Sequence, residues 1–152
     1  MKQLFKLNAF CKFNQIEYVV TGTTALSLLG VPSRFAPQDI DIKVLHLAEN
    51  QAEKLKELQF LSGLENENYD NGQCFSFIID GVKINAIIDN TKGHDEIYRQ
   101  SVSINYVDEE TKESHAINVQ PVSLALADKM KLNRDKDKTY MLNLIANLAS
   151  LV

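Results

Sequence analysis

The chain has 152 residues, of which 45% are apolar and 24% are charged, and its net charge is −4. This composition is ordinary for a globular protein, and the length suits a single domain over residues 1–152. The acidic balance argues against broad nucleic-acid binding by a basic surface. No apolar run is long enough for a membrane span, and polar residues interrupt the N-terminus too often for a signal peptide. We therefore expect a cytoplasmic protein.

The spacing of apolar residues predicts an alternation of helices and strands along the chain. In chain order we expect helix 3–14, strand 16–20, helix 23–29, strand 39–45, helix 48–61, strands 74–79, 82–88, 102–107 and 115–119, and helices 121–132 and 140–151. Residues 64–72 are polar and are predicted to form a connecting loop. A short helical turn is predicted at residues 95–98.

Two features of this order indicate the fold class. Asp80-Gly81 lies between two apolar runs and is a strong signal for a β-hairpin. Helices precede, interrupt and follow the strands, which favours an α+β fold with a mixed or antiparallel sheet and helices on one side. We expect residues 1–120 to form the α/β core and residues 121–152 to form C-terminal helices.

The expected core contains most of the phenylalanines, and the inward side of helix 48–61 is expected to include Phe60 and Leu61. The phenylalanines assigned to the core are Phe5, Phe10, Phe13, Phe60, Phe75 and Phe77. Cys11 and Cys74 lie far apart in apolar segments, so two buried free thiols are expected. The histidines have no spacing that suits zinc ligands.

A pair of aspartates marks the predicted strand 39–45. Side chains alternate along a strand, so Asp39 and Asp41 share one face while Ile40 and Ile42 share the other. One face can then be buried while the other presents two carboxylates. Paired carboxylates suit a divalent cation, and magnesium in particular takes one or two of them together with phosphate oxygens.

A glycine turn precedes this strand and supplies a neighbouring anion site. Gly22 can adopt a positive φ or allow close approach of a ligand. Thr23 and Thr24 are predicted to cap the following helix with their hydroxyl groups. The first-turn N–H groups and the positive end of the helix dipole favour an anion. Together with the carboxylates, this arrangement is typical of nucleoside triphosphate binding.

The combined pattern runs Gly22-x-x-Ala25-Leu26-x-x-x-Gly30-x-x-x-Arg34-x-x-x-x-Asp39-Ile40-Asp41-Ile42. It resembles the nucleotidyltransferase superfamily and, within it, the minimal enzymes grouped with the AbiEii-type abortive-infection toxins. The resemblance implies a nucleotidyltransferase-like mixed sheet with packed helices. It also implies Mg²⁺ or Mn²⁺ held by Asp39 and Asp41, and a nucleoside triphosphate contacted by the residues Gly22, Thr23, Thr24 and Arg34.

The same resemblance implies the reaction and the partners. A nucleoside monophosphate would pass from the triphosphate to an acceptor hydroxyl on a tRNA 3′ end, a protein side chain or a small molecule. A toxin role with a cognate antitoxin is a further implication at the level of the family.

One position departs from the family pattern. Where the family carries a third acidic residue on a later strand, this chain has Asn85. An amide carbonyl can coordinate magnesium but cannot act as a base, and loss of a general base would cost about two to four orders of magnitude in rate. Asp89 lies roughly 13 Å further along the strand, at ~3.3 Å per residue, and is too distant to replace it. Two hypotheses stay open: an active enzyme in which Asn85 completes the site, or a degenerate domain that binds a nucleotide or a partner without turnover.

The C-terminal segment contains Asp128-Lys129-x-Lys131-x-x-x-Arg134-x-Lys136-Asp137. This run resembles the Lys and Arg-x-Lys-Asp pattern of the AbiEii-type proteins. Lys129 is therefore placed in the candidate site, and Lys129, Arg134 and Lys136 could offset the charge of a triphosphate. The alternative is a solvated, mixed-charge helix end.

Overall fold

The structure is a computed structural model that describes residues 2–31, 39–65, 67–69, 72–89, 96 and 99–149. Its elements are α1 (Lys2–Phe13), β1 (Glu17–Thr21), α2 (Gly22–Leu28), β2 (Asp39–Leu45), α3 (Glu49–Leu61), β3 (Glu67–Tyr69), β4 (Gly72–Ile79), β5 (Val82–Asp89), β6 (Val102–Val107), β7 (Ser114–Val119), α4 (Val122–Leu132) and α5 (Asp135–Ala149). Among these described helices, none is both long and apolar enough to cross a bilayer. The predicted turn at 95–98 lies outside the described residues except for Glu96.

The strands form one mixed sheet in the order β3-β4-β5-β2-β1-β7-β6. The pairs β2–β5 and β1–β7 are parallel, and the pairs β1–β2, β3–β4, β4–β5 and β6–β7 are antiparallel. The predicted hairpin at Asp80-Gly81 is confirmed, because both residues have the positive φ of a two-residue type I′ turn, 45° and 79°. Strands β1, β2 and β5 thus lie side by side at the centre of the sheet.

The core lies against one face of these central strands. Alternate residues of β2 are buried, as are Phe75 and Phe77 of β4, and they pack with Leu4 and Leu7 of α1. Both cysteines are buried, as predicted, and neither forms a disulfide within the described part of the chain. Burial raises the pKa of the Cys11 thiol to about 12. Because the core occupies one face of β2, the other face is left to its polar side chains.

The inward side of α3 differs from the prediction. Phe60 and Leu61 are 84% and 72% exposed, so their assignment to the core was wrong. Gln59 and Ser62 point toward β4 instead. Gln59 Oε1 accepts a hydrogen bond from the backbone N–H of Ser76, and Ser62 Oγ accepts one from the backbone N–H of Ile78, each at 2.9 Å. Among the described residues, the short β3 pairs with the first three residues of β4, so the N–H groups further along β4 need other acceptors.

Three other predicted features also differ. Phe13 is 87% exposed and does not belong to the core. β3 forms inside the predicted loop 64–72, since an edge strand pairs through its backbone and needs no apolar alternation. Helix α5 begins at Asp135, five residues before the predicted start at 140. Its first turn is polar, so the spacing of apolar residues did not reveal the true start of the helix. Asp135 and Asp137 in this turn interact favourably with the helix dipole.

Candidate functional site

Strand β2 places two carboxylates on the face opposite the core. Asp39 is exposed and Asp41 is half-buried, whereas Ile40 and Ile42 between and after them are almost fully buried. The predicted alternation of the two faces is therefore confirmed. The face that carries the aspartates also carries Lys43, two residues after Asp41.

A row of polar side chains crosses four adjacent strands at the level of Asp41. The strand register aligns Ser76 of β4, Asn85 of β5, Asp41 of β2 and Thr21 of β1. Asn85 Nδ2 donates to Asp41 Oδ1 at 2.9 Å, and Ser76 Oγ donates to Asn85 Oδ1 at 2.8 Å. Thr21 Oγ1 donates to the backbone oxygen of Asp41 at 3.3 Å. Asp41 is thus held from both neighbouring strands.

Gly22 borders the Asp41 carboxylate. Its φ of +66° lies in the left-handed region that favours glycine, as predicted, and a Cβ at this position would lie 3.7 Å from Asp41 Oδ2. The Gly22 N–H donates to Gln120 Oε1 at 3.3 Å, and Gln120 Nε2 donates to Asp128 Oδ2 at 2.8 Å. Gln120 is 4% exposed. The sequence carried no signal for it, because a single glutamine after a strand fits no motif.

The two threonines after Gly22 do not cap α2 as predicted. The helix begins at Gly22, its N-cap is Thr21, and no side chain makes the capping bond. Thr23 and Thr24 therefore lie inside the first turn. Thr24 Oγ1 donates to the backbone oxygen of Asp39 at 3.2 Å, and Thr23 Oγ1 accepts from Lys129 Nζ at 2.8 Å. Their hydroxyl groups link α2 to β2 and to α4.

Lys129 brings a buried positive charge to the start of α2. Its side chain is 10% exposed, and Nζ lies 3.8 Å from Asp137 Oδ1 and 4.5 Å from the centre of the Tyr140 ring. The pKa of Lys129 is lowered, mainly because the side chain is buried. The negative charges of Asp137 and Asp41 oppose this shift only in part. The hydrogen bond from Lys129 to Thr23 spans 106 positions of the chain. Through it, the C-terminal helices contribute to the candidate site.

The other residues of the C-terminal pattern are distributed differently. Arg134 donates from Nε and Nη2 to both oxygens of Asp137, at 2.7 Å and 3.1 Å, while Lys136 is exposed. The hydrogen bonds from Arg134 lower the pKa of Asp137, which is 1% exposed. The charge of Asp41 is one of the factors that raise the pKa of Arg134, after its hydrogen bond and its charge interaction with Asp137.

Asp39 and Asp41 are the carboxylates at this site that could contribute ligands to a magnesium ion. Among the described residues, no group of three His, Cys, Asp or Glu side chains could hold a metal ion. Two carboxylates with phosphate oxygens are a common ligand set for magnesium. Arg34 and the side chain of Asp89 lie outside the described part of the chain.

Comparisons with known proteins identify the fold. No protein-family model matches the sequence, and no curated protein matches it. A solved structure of a "putative nucleotidyltransferase" from Thermotoga maritima matches with a TM-score of 0.56 and 20% identity, over 95% of this chain and 90% of that one. An "antigenic nucleotidyltransferase-like protein" from Paracoccidioides brasiliensis matches with a TM-score of 0.50 and 12% identity, over 91% of this chain and 70% of that one. The chain has a nucleotidyltransferase-like α+β fold, as predicted.

Proposed function

We propose that the protein is a metal-dependent nucleotidyltransferase that transfers a nucleoside monophosphate from a nucleoside triphosphate to an acceptor hydroxyl. One observation supports the proposal most strongly: Asp41, Gly22 and the Lys129–Thr23 pair lie close together at one end of the central strands. Carboxylates, a close backbone approach and a buried cation are the groups that a metal-bound triphosphate requires. The fold of the two solved neighbours supports the same class of reaction.

Each residue has a distinct role in this proposal. Asp39 and Asp41 would hold Mg²⁺ or Mn²⁺, which when bound neutralises charge on the triphosphate and polarises its phosphorus–oxygen bonds. Lys129 carries positive charge to the start of α2, where it offsets phosphate charge. Gly22 lacks the Cβ that would narrow the space beside Asp41.

The proposed reaction is a displacement at the α-phosphorus. The acceptor hydroxyl oxygen forms a bond to the α-phosphorus while the bond from that phosphorus to the bridging oxygen breaks. Pyrophosphate leaves with the electron pair of that bond, and the hydroxyl proton passes to water. Asn85 takes no part in the proton transfer, since an amide is not a base.

The acceptor is proposed as a class only. A tRNA 3′ end, a protein side chain and a small molecule each offer the hydroxyl group that the reaction needs. The net charge of −4 favours the two smaller or less anionic acceptors over a large RNA. Use as a toxin with a cognate antitoxin is a more specific form of this proposal, and only the resemblance to the AbiEii-type proteins implies it.

A second candidate function is a nucleotide-binding or protein-interaction module without turnover. The contact that favours it is the hydrogen bond from Asn85 Nδ2 to Asp41 Oδ1 at 2.9 Å. An acidic residue at position 85 could remove the acceptor proton, whereas the amide donates to Asp41 and leaves no base there.

Calorimetric titration with each of the four ribonucleoside triphosphates, with and without Mg²⁺, tests the proposal. The variants are the double substitution Asp39→Asn/Asp41→Asn and the matched control Glu109→Gln, which alters an exposed carboxylate in the turn between β6 and β7. We expect Mg²⁺-dependent binding that the double substitution abolishes and the control retains. Turnover is then measured as release of pyrophosphate with candidate acceptors.

The outcomes separate the two candidate functions. Binding followed by pyrophosphate release supports the enzyme. Binding with no release in the presence of tRNA, protein and small hydroxyl acceptors favours the module. If the folded protein binds none of the four nucleotides, the proposal that it is a nucleotidyltransferase is refuted.

A further inference from the structure

The orientation of the Asn85 side chain follows from its two partners. An ionised carboxylate can only accept hydrogen bonds, so the amide NH₂ group of Asn85 must face Asp41. The amide oxygen then points the other way and accepts from Ser76 Oγ at 2.8 Å. The Asn85 oxygen is therefore already used by the protein, on the side of the residue away from Asp41.

Ser76 is itself fixed in place by burial and by a hydrogen bond from its backbone. It is 2% exposed, and its backbone N–H donates to Oε1 of the buried Gln59 at 2.9 Å. The connected groups run from α3 through β4 and β5 to the carboxylate on β2. A buried polar network in which each member has partners fixes side-chain orientation, because rotation of one member leaves its neighbours unpaired.

We propose that Ser76 and Asn85 are positioning residues for Asp41, and that position 85 supplies no ligand to the cation. This inference rests on the proposed function, since it concerns the cation that Asp39 and Asp41 would hold. It departs from the expectation that the Asn85 carbonyl oxygen completes the metal site. Turning that oxygen toward a cation would break the hydrogen bonds to both Ser76 and Asp41.

The network also determines which oxygen of Asp41 is available. Asn85 occupies Oδ1, whereas Oδ2 lies on the side of Gly22, where no Cβ fills the space. A cation would therefore bind through Asp41 Oδ2 and Asp39.

Titration with Mn²⁺, followed by the electron paramagnetic resonance signal of the free ion, tests the inference. We expect wild type to bind one Mn²⁺. Asn85→Ala should bind it about tenfold more weakly, because Asp41 loses the hydrogen-bond donor that positions it. Asn105→Ala, which removes an exposed asparagine on β6, is the matched control and should equal wild type.

Nuclear magnetic resonance of the Asn85 side chain tests its orientation without any cation. One of its amide protons should exchange slowly with solvent, and Ser76→Ala should shift this signal while Asn105→Ala leaves it unchanged. Addition of Mg²⁺ to wild type should leave the ¹³C signal of the Asn85 side-chain carbonyl in place. A displaced carbonyl signal would show that the oxygen binds the cation and would overturn the inference.

The failure of the inference is distinguishable from the failure of the proposed function. Mn²⁺ binding that is unchanged in a folded Asn85→Ala protein would show that Asn85 does not position Asp41 and would overturn the inference alone. A folded wild-type protein that binds no Mn²⁺ overturns the proposed cation site and this inference together.

Discussion

Replacement of Asp137 by asparagine removes the carboxylate on which the C-terminal helices depend. Asp137 lies in the first turn of α5 and is 1% exposed. Its Oδ2 accepts from the Arg134 Nε and from the Arg134 backbone N–H, at 2.7 Å and 3.1 Å, and Oδ1 lies 3.8 Å from Lys129 Nζ. Asparagine keeps the shape of the side chain but brings no charge and offers one acceptor oxygen in place of two.

The expected loss of stability follows from the burial of the two partners. Removing one member of a buried ion pair costs about 3–5 kcal/mol, because the other charge stays buried without compensation. Lys129 is in that position, with its side chain 10% exposed. The side chain of Arg134 is 47% exposed, so solvent screens its share. We therefore expect Asp137→Asn to cost about 3 kcal/mol of unfolding free energy.

This loss should depend on pH in a defined direction. Hydrogen bonds from Arg134 hold the pKa of Asp137 below its usual value of 3.8. A depressed pKa in the folded state contributes stability above the unfolded pKa and loses it as the pH falls through the folded pKa. The difference in unfolding free energy between wild type and Asp137→Asn should therefore be full at neutral pH and should shrink below about pH 4.

Thermal and urea unfolding monitored by circular dichroism measure both effects. At neutral pH we expect the melting temperature to fall by about 6–12 °C, at ~2–4 °C per kcal/mol for a chain of this length. Asp135→Asn is the matched control, since Asp135 is an exposed aspartate of the same helix turn, and we expect it to cost less than about 1 kcal/mol. Equal losses in the two variants, or an Asp137→Asn effect that persists unchanged in acid, would refute the reasoning.

Three further predictions follow from the described contacts. Gly22→Ala should destabilise the fold by about 1–2 kcal/mol in urea unfolding, because φ is +66° there, and an unchanged midpoint would contradict this. Cys11 and Cys74 should not react with a thiol reagent in the native protein, since both are buried and the pKa of Cys11 is raised to about 12. Rapid modification before unfolding would contradict it. Phe60→Ser should change stability by less than about 0.5 kcal/mol, whereas Gln59→Ala should cost about 1–3 kcal/mol by leaving a buried N–H unpaired. The reverse order of these two costs would contradict the assignment of the inward side of α3.

Patterns with a short period were sufficient for much of the fold. The alternation in β2 separates Ile40 and Ile42 from the two aspartates because a strand presents successive side chains to opposite faces. Asp80-Gly81 predicts its hairpin because both positions of a type I′ turn need a positive φ. These signals lie within a few residues and depend on backbone geometry, so a single sequence reveals them.

The inward side of α3 was not predictable in this way. Hydrophobicity placed Phe60 and Leu61 in the core, yet Gln59 and Ser62 occupy the inward positions. The reason is the short β3, which leaves N–H groups of β4 in need of acceptors. A sequence pattern cannot show this need, because it arises from the extent of pairing between two strands.

The same distinction between local patterns and tertiary contacts applies to the candidate site. The sequence by itself determined that Asp39 and Asp41 share a polar strand face and that Gly22 precedes them in a turn, since both follow from local backbone geometry. Tertiary structure alone decided that Lys129 reaches Thr23 and that Asn85 turns its NH₂ group toward Asp41. These contacts join residues 44 and 106 positions apart, and their geometry depends on strand register and helix packing, which no local pattern encodes.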